Sequence, residues 1–234
     1  MFLSLLYSPA MKKKRALAIG LVALLSIGTT TIAAAATKVK TLSFTAEVWA
    51  DNWFTLYANG KKVGEDSVPI TTERSFNSEV ITFSASYPLT LGLVAKDYIA
   101  NDSGLEYIGS PRQQIGDGGI IAQVRESKSG KFVAATGPKW RTLVIHKAPL
   151  NQECVTSSNP TMDCKFEKST EPKGWSASTY KDSKWSLATV FTEEAVGVKD
   201  GYNSIRWNPD AKLIWGSDLK LDNTILMRFT ATGK

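Results

Sequence analysis

The side chains able to perform chemistry in this sequence are few and far apart. His146 is the only histidine among 234 residues, and it closes an alternating run, Thr142–His146. Imidazole titrates near neutral pH and can carry a proton, so His146 is the one candidate base for a small hydrolase. No Gly-x-Ser-x-Gly elbow offers it a nucleophile, and a lone strand histidine is more often structural. Glycoside hydrolysis would need two carboxylates facing each other at about 5–10 Å. Glu47, Asp51, Glu106 and Asp117 are candidates, but any chain with 22 acidic residues offers such pairs. No catalytic residue is assigned, and the expectation is a protein that is not an enzyme.

Binding chemistry concentrates in one stretch. Asp97, Asp102 and Asp117, with Asn101 beside them, are interleaved with Gly104, Gly116, Gly118 and Gly119. Hard oxygen donors on pliant backbone suit Ca²⁺, although no EF-hand spacing is present and solvated turn residues would read the same. Tyr98, Asn101, Arg112 and Gln114 could take the hydroxyls and stack on the apolar faces of a sugar, and Trp175 is a second exposed-ring candidate. The competing reading is that such rings are simply buried. Asn101-Asp102-Ser103 also matches a glycosylation sequon, which matters only in a eukaryotic secretory pathway.

Two cysteines, Cys154 and Cys164, stand ten residues apart in a stretch rich in Ser, Asn, Pro and Thr. They are expected to pair if the chain is exported, because an even count in an oxidising compartment favours a disulfide. The chain start argues for export. Lys12-Lys13-Lys14-Arg15 precedes an apolar run from Ala16 to about Ile27 and the small residues Ala34-Ala35-Ala36. That order reads as a signal peptide over residues 1–36, with 1–10 as an upstream extension ahead of Met11. The apolar run is too short for a stable membrane span. A secreted protein, extracellular or periplasmic, is expected, with no membrane span in the mature chain.

The leader holds four of the 28 basic residues and none of the 22 acidic ones. The remainder, 24 against 22, carries a formal +2, which removes most of the case for a nucleic-acid partner. Residues 37–234 suffice for one sizeable core. Strand signals dominate them. Leu42, Phe44, Ala46 and Val48 alternate with Ser43, Thr45 and Glu47, and Asn59-Gly60 between two strand-like runs is a type I′ hairpin signal. Further strands are expected at Val80–Ser86, Leu89–Asp97, Ile120–Glu126, Lys131–Ala135, Trp140–His146, Ala188–Phe191, Lys212–Trp215 and Thr224–Thr232. Only a short helical turn near Ser178–Trp185, capped by Asp182, interrupts them. The predicted fold is all-β, an antiparallel sandwich with two long loops, Ile99–Gly119 and Ala148–Gly174.

Certain segments resemble a known family. Ala50-Asp51-Asn52-Trp53-Phe54-Thr55-Leu56-Tyr57-Ala58-Asn59-Gly60 is similar to the strand–turn–strand opening of galactose-binding-domain-like jelly rolls, modules that accompany secreted glycoside hydrolases. Gly119–Val124, Lys139-Trp140-Arg141, Gly174-Trp175, Tyr180–Ala188, Ala211–Trp215 and Asp222–Arg228 follow in family order. The resemblance implies a jelly-roll β-sandwich, places Trp49, Trp140, Trp185 and Trp215 in its core, and makes a structural calcium familiar. The expected function is non-catalytic binding of carbohydrate or another extracellular polymer through the long loops. The alternative is self-assembly as a structural subunit of a filament, surface layer or matrix.

Overall fold

The computed structural model describes residues 39–233, so the expected leader lies outside the described residues. The strands are β1 (Leu42–Asp51), β2 (Trp53–Ala58), β3 (Lys61–Glu65), β4 (Asn77–Ala85), β5 (Leu89–Lys96), β6 (Leu105–Glu106), β7 (Gln114–Ile115) and β8 (Gly119–Glu126). Then come β9 (Phe132–Ala135), β10 (Arg141–Lys147), β11 (Glu167–Lys168), β12 (Ser186–Leu187), β13 (Thr189–Phe191), β14 (Leu213–Trp215) and β15 (Asp222–Ala231). One sheet runs β13-β14-β8-β1-β4 with β9 also on β8. The other runs β11-β10-β15-β5-β2-β3 with β12 also on β10, and β6-β7 form a small ribbon. Every pairing is antiparallel. The protein is an all-β antiparallel sandwich, an arrangement compatible with a jelly roll.

The core lies between the sheets, as the alternation of β1 requires. Phe44, Ala46, Val48 and Ala50 point inward against Phe54, Leu91, Leu93, Ile120, Trp215 and Met227. Connections between strands pack on both outer faces. Trp49, Ile121 and Leu213 on one side meet Val196 and Tyr202, while Val94 and Leu226 on the other meet Trp175 and Trp185. This double cover is why β5 and β8 read as almost continuous apolar runs rather than alternating ones. The cover of the second sheet is pinned by Arg228, whose Nε donates to Asp182 at 2.9 Å. Its Nη1 donates to the carbonyls of Trp175 and Ala177.

Local signals fared unequally. Asn59 and Gly60 have φ of 49° and 83°, the two positive values a type I′ turn needs. The Asn59 amide locks the turn, donating to Ser86 O and accepting from Thr90 N. The helical turn expected over Ser178–Trp185 does not form, because Asp182 serves Arg228 instead of a helix start. One-turn helices appear instead at α1 (Pro160–Asp163) and α2 (Glu193–Val196). Thr192 caps α2 by accepting from Ala195 N. Among the described residues, no helix is long and apolar enough to cross a membrane.

Candidate functional site

One end of the sandwich gathers the polar groups that the core cannot use. β1 ends there at Asp51, β8 begins there at Gly119, and the two pair directly. β5 ends there at Lys96, opposite Trp53 of β2 and Thr224 of β15. His146 is opposite Thr224 as well, in a stretch where the β10–β15 register slips on both sides of it. Such a bulge re-aims a side chain.

A chain of contacts runs through this end. Asn223 Nδ2 donates to Asp97 Oδ2 at 3.2 Å, and Asn223 Oδ1 faces His146 Nδ1 at 3.0 Å. His146 Nε2 lies 3.2 Å from Asp102 Oδ1, yet off the line of a hydrogen bond, so it has no partner among the described residues. Lys168 Nζ holds Asp102 at 3.0 and 3.3 Å, and the Phe166 ring stacks on the imidazole at 6.0 Å. His146 is 3 % exposed, and burial holds it below its ordinary pKa against the pull of Asn223 and Asp102.

Beside this chain stands a carboxylate cluster. Burial pushes Asp51 up to about 8 while Lys199, 3.4 Å away, pulls it back. Burial also raises Glu106 to about 7, against a hydrogen bond from Gln114. Asp97 is raised well above the usual carboxylate range by complete burial, then by Glu106, Asp51 and Asp117. Lys199 ends above its ordinary value, because Asp51 and Asp117 outweigh the burial that opposes them. Carboxyls shifted together toward neutrality in one place mark a candidate site on physical grounds. Asp51, Glu106 and Asp117 from the predicted carboxylate set meet here, whereas Glu47 binds Gln123 and Arg125.

The two long loops frame the site. Asn52 is fully buried and bonds Lys96 O, Glu73 O and Tyr98 N, fixing where the first loop departs. Glu73 accepts from Tyr107 N further along. Cys154 and Cys164 form a disulfide, as the sequence implied, and pack with Leu105 on the β6–β7 ribbon. Gln113 crosses between the loops, donating to Val155 O and Ser157 O. Both loops are thus built structures with their own small core.

Tyr98, Asn101, Arg112 and Gln114 all lie on the first loop, where Arg112 stacks over the Tyr107 ring at 4.3 Å. Asn101 Oδ1 accepts from Ser103 N. Trp175 does not join them. It is 4 % exposed among Val94, Leu226, Trp185 and Tyr57, so its ring offers no open face for stacking. Its link to the site is indirect, through Nε1 to Glu171 at 2.9 Å. The three aspartates expected to hold calcium take separate partners: Asp97 has Asn223, Asp102 has Lys168 and Asp117 has Lys199. Among the described residues, no group of three or more His, Cys, Asp or Glu side chains is arranged to hold a metal ion. The glycines between them serve close packing, since a Cβ on Gly116 would stand 2.5 Å from Asp97 Oδ2. The residues the sequence did not flag are Asn52, next to Asp51, and Glu73, Asn223 and Lys199, which stand apart in sequence and are joined to the site by the topology.

A cavity of about 370 Å³ opens here, lined by Lys96, Asp97, His146 and Thr224 with Ile70, Ile99 and Ile145. A neighbouring hollow reaches Asn101, Asp102 and Phe166. A roomier groove of about 510 Å³ lies elsewhere, along β9 and Trp140, but among the described residues no unpartnered buried polar atom lines it. Two of the four such atoms among the described residues, Asp97 Oδ1 and His146 Nε2, belong to residues that line the smaller cavity. Compared with models of protein families, with curated proteins and with solved structures, the chain has no match.

Proposed function

We propose that this protein is a secreted, non-catalytic β-sandwich module of the galactose-binding-domain-like kind that binds carbohydrate or another extracellular polymer at its loop end. The observation that carries the reading is that two residues lining one cavity, Asp97 and His146, each carry a buried polar atom with no hydrogen-bond partner among the described residues. Folding tolerates such groups poorly unless something else satisfies them. Of the predicted residues Asn101 lines the adjoining hollow, and Tyr98, Arg112 and Gln114 belong to the same stretch of chain. The non-catalytic reading is supported by His146, whose only side-chain hydrogen bond among the described residues goes to Asn223 rather than to a nucleophile.

Affinity electrophoresis of the purified protein through a panel of soluble polysaccharides tests it. Retardation by at least one polymer, reduced by Tyr98→Ala or Arg112→Ala with the melting temperature kept, is the expected result. No retardation by any polymer overturns it. A second reading, self-assembly into a filament or layer, is favoured by β4, a nine-residue edge strand whose Val80 is 61 % exposed. Filaments or sheets of the pure protein in electron micrographs, without ligand, would replace the first reading by the second.

A further inference from the structure

The state of His146 follows from its neighbour. Asn223 gives its Nδ2–H to Asp97, so its carbonyl oxygen is what faces the imidazole, and Nδ1 must carry the proton. Burial favours the neutral ring. Nε2 is then a bare acceptor, 3.2 Å from Asp102 Oδ1, another acceptor. Asp102 Oδ1 already accepts from Lys168 Nζ at 3.0 Å, so Nε2 is the acceptor still without a donor among the described residues. Asp97 Oδ1, fully buried on the same cavity, is likewise without a hydrogen-bond partner among the described residues.

The remaining lining sets the class of that donor. Lys96 reaches the cavity with no ion pair among the described residues, its Nζ 5.1 Å from the Trp53 ring. Glu171 and Lys168 also line it, with opposite charges. A ligand with a full charge of either sign meets a like charge here. A neutral polyol meets acceptors for its O–H groups, an ammonium donor for its oxygens, and Ile70, Ile99 and Ile145 for its C–H face. A volume of about 370 Å³ lies in the range of small-ligand sites, ~300–1,000 Å³.

We propose that this cavity takes one neutral sugar residue, with one hydroxyl toward His146 Nε2 and Lys96 and another toward Asp102 in the adjoining hollow. The proposal rests on the recognition reading above and gives it a subsite and a ligand class. Because His146 is the only histidine, its ring nitrogens report on the cavity alone in a ¹⁵N-labelled protein. The probes are the methyl glycosides of glucose, galactose and mannose, with glucuronic acid and glucosamine as charged comparisons.

The expected result is a saturable shift of the Nε2 resonance with at least one neutral glycoside. Lys96→Met should weaken that binding tenfold or more while the ring signal of the folded protein persists. His146→Gln, which retains an acceptor but shortens its reach, should weaken it as well. A response to the charged sugars alone overturns the ligand class. A ring that stays silent while a polysaccharide still binds overturns the subsite and leaves the recognition reading standing. Silence toward glycosides and polysaccharides together overturns both.

Discussion

Lys199 Nζ stands 3.4 Å from Asp51 Oδ2, although the two residues are 148 positions apart and the carboxylate is almost wholly buried. The lysine is 42 % exposed at its side chain, so the pair has one foot in water and one in the core. Asp117 Oδ1 shares the same ammonium at 4.0 Å. Burial nonetheless dominates Asp51, which keeps its proton to about pH 8.

Stability should therefore fall as pH rises from about 4 to about 8. Asp51 moves from 3.8 to about 8, Glu106 from 4.5 to about 7, and Asp97 moves the same way. In that window the folded protein binds more protons than the unfolded chain, which gives a negative slope with pH. His146, lowered from 6.5, opposes this by losing stability as pH falls, but it is one group against four, since burial raises Asp66 as well. Lys199 acts only above its ordinary 10.5. A melting temperature at pH 5 about 4 °C or more above that at pH 8 is expected, at about 2–4 °C per kcal/mol for a domain of this size. Asp51→Asn with Glu106→Gln should flatten the difference; a protein more stable at pH 8 contradicts the raised carboxyls.

Lys199→Met should behave differently at the two ends of that range. At pH 5 Asp51 is already protonated in the folded state, so the cation has little to compensate. At pH 8 Asp51 is about half ionised with the cation present, so loss of the cation removes that stabilisation and drives Asp51 back to its protonated form, and partial exposure limits the cost to about 1–2 kcal/mol. Urea unfolding at both pH values decides the matter. Equal losses at the two would mean that the lysine acts through packing, for which its 4.4 Å approach to the Phe76 ring is the alternative cause.

What the sequence disclosed was periodic or local. The alternation in β1, the Asn59-Gly60 turn and the paired cysteines each carry their own physical signature within a few residues, and each has its counterpart in the structure. The candidate site has no such signature. Asn223 reaches Asp97 across 126 positions and His146 across 77, so only strand order brings them together. Asp182 looked like a helix cap because its partner, Arg228, is distant in the chain. Trp175 followed a glycine in an irregular stretch and so read as exposed, but the outer face of the second sheet needed an apolar cover and Trp175 is part of it.

Gly118 shows a related ambiguity between pliancy and close approach. A Cβ there would overlap the indole of Trp215, which is fully buried and donates to Asp222 O. Gly118→Ala should cost about 1–3 kcal/mol by overpacking. Gly137, where a Cβ would meet only Asp210 O at 4.0 Å, is the control. Its alanine variant should be neutral or slightly stabilising, by up to about 1 kcal/mol. Thermal melts of both, with near-ultraviolet circular dichroism to watch the tryptophans, test this; equal stability of the two would show that the indole can yield.

The disulfide is the last element whose role can be measured separately from the fold. Cys154 and Cys164 are ten positions apart, and closing so short a loop is worth about 2–3 kcal/mol through the unfolded chain. Both residues are also buried against Leu105, Ile108 and Ile115, so the bridge ties the second loop to the ribbon of the first. Replacing both by alanine should lower stability by that amount and should act unevenly in amide exchange. Gln113 and Leu105 should lose protection while Val94 and Leu226, held by the second sheet and its cover, keep theirs until global unfolding. If exchange instead rises equally in loops and sheets, the loops unfold only with the sandwich, and the rim of the proposed site is as rigid as the core beneath it.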